Sequence, residues 1–440
     1  MSNIKNILRK DIISWSLYDF ANTIFSMNIL SLYFKRWVVE DLGREGLYYD
    51  IAFSTSMLLT GLIMPALGAI SDHSHKKRIF LLLFTLLCCV SIGIVPALPL
   101  GLFSLVIILF SLSNFFYEGG MVFYNSLLYS VSAGIEARFV SGFGVAVGYL
   151  GSIAGMLLVL PFVKGNFFGW DISFLSAGGK ASTFMPTAIF FFLFSIPAFI
   201  WVKESIKGQK SEKPAIREAY REVWNGIKDT KKYPGVMRFL VADYFFEDAV
   251  ATVILNIGLY SSLVIGLNDT DLTIFLIIST ISAMAGSFAI GHISQNRNLK
   301  KIMRSVIYGW IITLFLFVLI DNKILIYILG SMVGILLGGL WTVSRPLLAE
   351  MVPKEELGKF FGLYSLSGRA AAVVGPIIWG VIVYLFNPSR FLGGWVSNRL
   401  GLSPESAMKL PYWLAVLSLT LMMSVGLIIF RKLPEQNAKG

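Results

Sequence analysis

Long apolar stretches separated by short polar links dominate the chain. Runs of 18 or more mostly apolar residues lie at about twelve places: 12–35, 51–71, 79–99, 102–132, 139–163, 184–202, 237–266, 271–292, 303–320, 324–351, 358–386 and 410–431. About 20 residues of helix cross a bilayer, so this pattern predicts twelve membrane-spanning helices. Several runs are longer than that, which predicts tilt, kinks or ends that project into the cytoplasm. The polar positions repeat. Gly68-Ala-Ile-Ser-Asp72-His-Ser-His-Lys76-Lys77-Arg78 closes one span and returns about 220 residues later as Gly291-His-Ile-Ser-Gln295-Asn-Arg297-Asn-Leu-Lys-Lys301. Asp19 returns as Asp243, Leu127-Leu128 as Leu347-Leu348, Gly142 as Gly362, Gly148 as Gly368 and Pro186 as Pro411. Two similar halves of apolar helices point to a transporter that rocks one half against the other around a central site. The expected organisation is a six-helix bundle over 1–202, a cytoplasmic linker over 203–236 and a second six-helix bundle over 237–440.

Composition agrees with a bilayer as solvent, since 56% hydrophobic and 14% charged residues in 440 exclude a soluble fold. The short polar start and a long first span carrying Asp19 argue against a cleaved signal peptide. Basic residues collect at Lys5, Arg9 and Lys10, at Lys76, Lys77 and Arg78, through 203–232, at Arg297, Lys300 and Lys301, and at Arg431 and Lys432. The links 96–101 and 266–271 have none. Lysine and arginine stay on the cytoplasmic side, so both termini are expected there; the membrane itself is expected to be the plasma membrane of a prokaryote. The net charge of +11 reads as this bias and not as nucleic-acid binding. The segment 203–236 mixes both signs, as suits a helical linker on the membrane surface. Two longer links, 164–183 and 387–409, carry Trp170 and Trp395, which read as interfacial anchors or as part of a substrate lid.

Soluble catalytic chemistry is not visible. The adjacent Cys88 and Cys89 make neither a disulfide framework nor a metal-ligand spacing. His73 and His75 offer only two ligands on a solvated loop. With no phosphate-cradling loop, and no nucleophile at recognisable spacing from a base, the expectation is a non-enzyme without cofactor or metal. Its partners are the lipid bilayer, a small-molecule substrate and protons, and it is expected to be a monomer.

The duplicated loop has a mechanical reading. Glycine permits a tight turn, an acid accepts hydrogen bonds from a neighbouring helix N-terminus, and a basic run grips the cytoplasmic surface. Gly68, Asp72, Lys76, Lys77, Arg78, Gly291, Arg297 and Arg345 are therefore candidate cytoplasmic gate residues. Gln295 stands where Asp72 stands in the first copy, so an ionic latch is expected in the N-terminal half. The stretch Gly68 to Arg78 resembles the loop between the second and third helices of major facilitator superfamily members.

Four blocks carry a narrower resemblance. Trp15-Ser-Leu-Tyr18-Asp19-Phe20-Ala21-Asn22 is similar to the Tyr-Asp-Phe-Ala-Asn hallmark of the vacuolar amino-acid effluxer-like permeases, which include the fungal autophagy-related effluxer. The stretch Phe123 to Leu128, with Val140 to Gly151, resembles the family's fourth-to-fifth helix region; Phe239 to Asp248 and Ser344 to Gly368 complete the set. Departures are Tyr129-Ser130, where the family usually has proline and an acid, and Ser365, where it often has aspartate. The resemblance implies a twelve-helix major facilitator fold, all-α and pseudo-symmetric, and small-solute transport, with amino-acid efflux attributed to fungal members.

Charge inside the spans bears on mechanism, because an ionisable group at the bilayer centre costs about 2.5–3.5 kcal/mol on insertion scales and needs a partner or a task. Asp19, Glu118, Asp243, Glu247, Asp248 and Arg369 lie within predicted spans. Asp243 and Glu247 share a helix face, as do Asp19, Asn22 and Ser26. The excess of acids favours neutralisation by protonation, a bound cation or a cationic substrate. Proton coupling through Glu118, Glu247 or Asp248 is the economical expectation. Arg369 is expected to pair with one of the acids or to bind a substrate carboxylate, and Asp19 and Asp243 either line the cavity or brace their helix ends. Arg345 is placed near the inner interface, as a gate or anchor. Tyr124, Asn125, Asn256, Trp341 and Tyr364 are further candidate cavity residues. Gly144, Gly148, Gly151 and Gly155 predict close helix approach, as do Gly368, Gly375 and Gly380, and Gly375-Pro376 predicts a kink. The reading is a secondary transporter of a small polar solute, in its specific form a proton-coupled amino-acid exporter. A non-transporting membrane sensor on the same scaffold and a lipid or lysolipid flippase are the alternatives.

Overall fold

Apolar runs in a bilayer fold as helices because lipid offers backbone amides no partner, and a helix satisfies them within one segment. The computed structural model describes residues 9–74, 76–132, 137–167, 170–171, 178–203, 216–295, 297–320, 322–353 and 356–434. The first span begins as α1 (Lys10–Phe25) and runs on through π-helical turns at Ser26–Tyr33, a helical turn at Phe34–Arg36 and a second π-helical stretch at Trp37–Asp41. Next come α2 (Leu47–Ser74), α3 (Lys77–Ile94), α4 (Phe103–Val131), α5 (Ala137–Lys164) and α6 (Phe184–Trp201). A linker helix, α7 (Ile216–Asp229), precedes α8 (Val236–Leu263), α9 (Asp269–Ser294), α10 (Leu299–Leu319) and α11 (Lys323–Met351). The eleventh span is split into α12 (Leu357–Ala371) and α13 (Val374–Leu385), and α14 (Phe391–Arg399) and α15 (Pro404–Arg431) close the chain.

Among the described residues, ten spans are long and apolar enough to cross a membrane. The first and seventh complete the twelve. The π stretches divide the first, while Asp243, Glu247, Asp248 and Asn256 dilute the hydropathy of α8. The link 164–183 holds one antiparallel pair, β1 (Asn166–Phe167) and β2 (Trp170–Asp171), with Asn166 opposite Asp171. The Trp170 side chain lies outside the described residues, as do Phe168 and Gly169. The link 387–409 carries the nine-residue α14, which apolar periodicity did not reveal, and its Trp395 is exposed.

Two compact units emerge. Unit one is Met1–Tyr220 with Asn256–Leu259 and Asn268–Thr273; unit two is Arg221–Leu255, Tyr260–Leu267 and Ile274–Gly440. In unit one the four glycines of α5 lie against α1, as their spacing predicts. A Cβ on Gly144 would meet Trp15 at 2.6 Å, on Gly148 the Asp19 carboxylate at 3.0 Å, on Gly151 the Phe20 carbonyl oxygen at 2.2 Å and on Gly155 the Ile24 backbone at 3.0 Å. Each contact needs a hydrogen where other residues carry a side chain, so the two backbones approach without strain. Thr23 Oγ1 closes the seam by donating to the Gly148 carbonyl at 2.7 Å.

Unit two has its own small-residue seam, with Gly334 and Gly338 of α11 against the Ser279 and Ala283 carbonyls of α9. The eleventh span breaks at Ala372–Val373, ahead of Gly375-Pro376. Proline removes a donor and its ring crowds the carbonyl four residues earlier, which places the disruption at Ala372. The freed start of α13 is capped from α8: the Gly375 amide donates to both Asp248 oxygens at 2.8 and 2.9 Å. Within unit two, Gly226 of α7 faces Leu363, which a Cβ there would meet at 3.1 Å. Asp229 pairs with Lys232 at 2.8 Å and with Lys359, contacts that hold its carboxyl below the usual carboxylate range.

Candidate transport site

Unit two gathers polar groups on two facing helices. On α8, Asp243 and Glu247 stand one turn apart; on α11, Trp341, Ser344 and Arg345 share a face at spacings of three and four. The Trp341 indole N–H donates to Glu247 Oε2 at 3.2 Å. Arg345 of α11 and Tyr364 of α12 also bear on Glu247, and Tyr364 stands near Asp243 as well. Asp243 is completely buried, and neither carboxylate oxygen has a hydrogen-bond partner among the described residues. The nearby Ser344 hydroxyl donates to the Leu340 carbonyl at 3.0 Å instead. Of the two carboxylates only Glu247 has a guanidinium beside it among the described residues, so the cluster is complete only with one further positive charge or a proton.

Four of the expected cavity residues, Asp243, Glu247, Trp341 and Tyr364, thus come together, and Arg345 joins them from the gate set. Asp248 points elsewhere, into the cap of α13. Asn256 is buried in unit one, where its Oδ1 accepts from Lys35 Nζ. Asp19 and Asn22 lie together on α1, with Asp19 against Gly148. Tyr124 is a core residue of unit one, stacked on Trp15 at 4.6 Å, with the indole N–H of Trp15 donating to the Tyr124 carbonyl. Asn125 is exposed on α4, Glu118 is half-buried on the same helix, and Arg369 is half-buried in the last turn of α12.

Of the gate residues, Arg78 caps a helix end, donating to the Phe199 and Ile200 carbonyls of α6 at 3.3 and 3.1 Å. Lys76 precedes α3 and Lys77 begins it. A Cβ on Gly68 would meet nothing within 4 Å, and one on Gly291 would meet Thr342 at 3.5 Å. Arg297 is exposed. The Asp72 side chain, His75 and the linker residues 204–215 lie outside the described residues.

A second charged cluster, in unit one, was not among the expected sites. Lys35 Nζ bonds both Asp50 oxygens, at 2.6 and 2.7 Å, and the pair is 3% and 0% exposed. Beside it Arg36 pairs with Glu40 at 3.0 Å and with Asp269 at 2.7 Å, and Lys180 joins Glu40 and Asp41 at 2.9 and 2.6 Å. Asp50 lies in the first turn of α2, where a helix favours an acid. One sequence signal pointed to this cluster: Lys35 and Arg36 fall at the end of the first span that the lysine and arginine bias assigns to the outside. Among the described residues no three His, Cys, Asp or Glu side chains are grouped to hold a metal ion.

Comparison with known proteins bears on the whole chain. The sequence model of a family described as vacuole effluxer Atg22 like matches residues 48–135 and 129–391. The MFS-type transporter YxiO of Bacillus subtilis is 25% identical over 434 residues, covering 97% of this chain and 95% of that protein. Autophagy-related protein 22 of Kluyveromyces lactis is 24% identical over 80% of this chain and 76% of its own length. Among solved structures, the nucleoside transporter NupG superposes with a TM-score of 0.71 at 13% identity, over 96% of this chain and 99% of that one. That likeness shows the fold, two pseudo-symmetric six-helix halves of the major facilitator type.

Proposed function

The chain belongs to the vacuole effluxer Atg22-like family and is an integral membrane transporter of the major facilitator type; on that premise we propose that it exports amino acids by proton-coupled alternating access. The observation that carries this reading is the unmatched charge of unit two. Asp243, with no hydrogen-bond partner for either oxygen among the described residues, and Glu247, shared between an indole and Arg345, together require one more positive charge. A proton supplies it at least cost in a buried site. Glu247 is the half-exposed member and the proposed carrier, with Asp243 as its reserve. A substrate ammonium is the second candidate, favoured by the face of Trp341, which is 40% exposed beside Glu247 and suits a cation. We place the protein in a prokaryotic plasma membrane as a monomer with both termini in the cytoplasm.

Counterflow of labelled amino acids in proteoliposomes is the first test, because exchange needs no knowledge of coupling ion or direction. Specific exchange of one class is expected; silence across the panel from folded, inserted protein sinks the amino-acid reading. Dissipation of a solute gradient in pure liposomes excludes a non-transporting sensor. Glu247→Gln is expected to abolish accumulation driven by a pH gradient while sparing exchange. Unchanged gradient-driven transport overturns its role as carrier.

A further inference from the structure

The two copies of the duplicated loop use their basic residues differently. In the first copy Arg78 is spent on the carbonyls of α6. In the second, Lys300 donates to the Leu433 and Pro434 carbonyls beyond α15, whereas Arg297 and Lys301 are exposed and have no acidic partner among the described residues. Those two cations border a groove of 610 Å³ between the end of α9, the start of α10 and Leu336 of α11. Asn298, Lys301 and Ser305 make a polar stripe up α10, next to an apolar stripe of Ile302 and Val306; Ile290 and Ile293 form the opposite wall. No acid lines it. The groove is therefore basic at its mouth and aliphatic in its depth, and Ile293 stays 46% exposed on its rim.

From this arrangement we propose that the groove binds an anionic phospholipid, its headgroup phosphate between Arg297 and Lys301 and the upper part of one acyl chain against Ile290, Ile302 and Leu336. Charge complementarity selects the occupant. A zwitterionic lipid brings its own cation to a mouth that already holds two, and a soluble anion leaves the aliphatic wall uncovered. Replacement of Asp72 by Gln295 in the second copy has a consequence here, since an acid at that end of α9 would add a charge of the wrong sign for a phosphate. The inference is independent of what the transporter carries.

The test is lipid binding to the detergent-purified full chain, read by native mass spectrometry with phosphatidylglycerol and phosphatidylcholine as probes. One phosphatidylglycerol is expected to be retained in preference to phosphatidylcholine. R297Q/K301Q is expected to weaken that binding about thirtyfold, each basic residue near an anionic lipid contributing about fivefold. R297K/K301R, which keeps both charges, is expected to restore it. Equal retention of the two lipids, or undiminished binding by R297Q/K301Q, overturns the proposal. Competition by inorganic phosphate alone at the same concentration shows a free-anion site and overturns it too.

Discussion

The two halves carry the same helix pair and fill its seam with opposite chemistry. In unit one, Ile24 of α1 packs on Gly155 of α5; at the echoed positions of unit two, Asp248 of α8 accepts the amide hydrogen of Gly375. Two turns away along α5, the Asp19 carboxylate lies 3.0 Å from where a Gly148 Cβ would be, whereas a Cβ on the echoed Gly368 would meet nothing within 4 Å. Further along, Lys35 is locked to Asp50, and its echo is the buried Leu259. Unit one matches its buried charges with each other. Unit two breaks a helix, caps the break with one acid and leaves another, Asp243, unmatched. The difference teaches which half matches its buried charges and which retains an unsatisfied one, the property the proposed coupling site needs.

The largest test of that contrast is removal of one partner from each cluster. Lys35→Met leaves Asp50 ionised, buried and alone, and should cost about 3–5 kcal/mol of stability. Asp243→Asn, which mimics the protonated acid, should cost under about 1 kcal/mol, because it removes a charge that has no partner to lose. Thermal unfolding of both variants in one detergent measures the difference. Equal losses would mean that Asp243 has a counter-charge after all, and the asymmetry between the halves would fail.

A smaller effect is expected at the cap of α13. Asp248→Ala strands the Gly375 amide in a buried position, an omission worth about 1–3 kcal/mol. Exchange transport should survive, since Asp248 serves the helix break and not the Glu247 cluster. If Asp248→Ala instead abolishes gradient-driven transport at unchanged stability, the cap and the coupling site are one, and the division drawn between Asp248 and Glu247 is wrong.

Much of this was legible in the sequence because membrane helices announce themselves by length and polarity. Most span boundaries were displaced by only a few residues, and the glycine face of α5 followed from spacing alone. The pairings were not legible, for reasons visible in single residues. Lys35 and Asp50 sat at the edges of two predicted spans and looked like flanks; only the π-helical continuation of α1 carries Lys35 inside. Tyr124 has a polar tip, but its ring stacks on Trp15, and periodicity does not say which of several buried faces an aromatic residue meets. Arg345 and Glu247 are about a hundred residues apart, and no local pattern joins them. The split of the eleventh span could be foreseen from Pro376, but not that an aspartate of another helix would cap it.

The finest distinction lies in two equivalent glycines. Gly148→Ala must push the Asp19 carboxylate aside, since its Cβ would arrive at 3.0 Å from Oδ2; Gly368→Ala meets open space. In a helix interior alanine is favoured over glycine by about 1 kcal/mol. That gain should appear in full at Gly368 and be cancelled or reversed at Gly148, so Gly368→Ala should raise the unfolding temperature and Gly148→Ala should not. The same comparison tests function, because an added methyl group on α12 that fills open space needed by a substrate slows exchange without lowering stability. Slower exchange in a stabilised Gly368→Ala protein would extend the transport site along α12 from Tyr364 to Gly368. Exchange at the wild-type rate would confine it to the cluster of Asp243, Glu247, Trp341 and Tyr364.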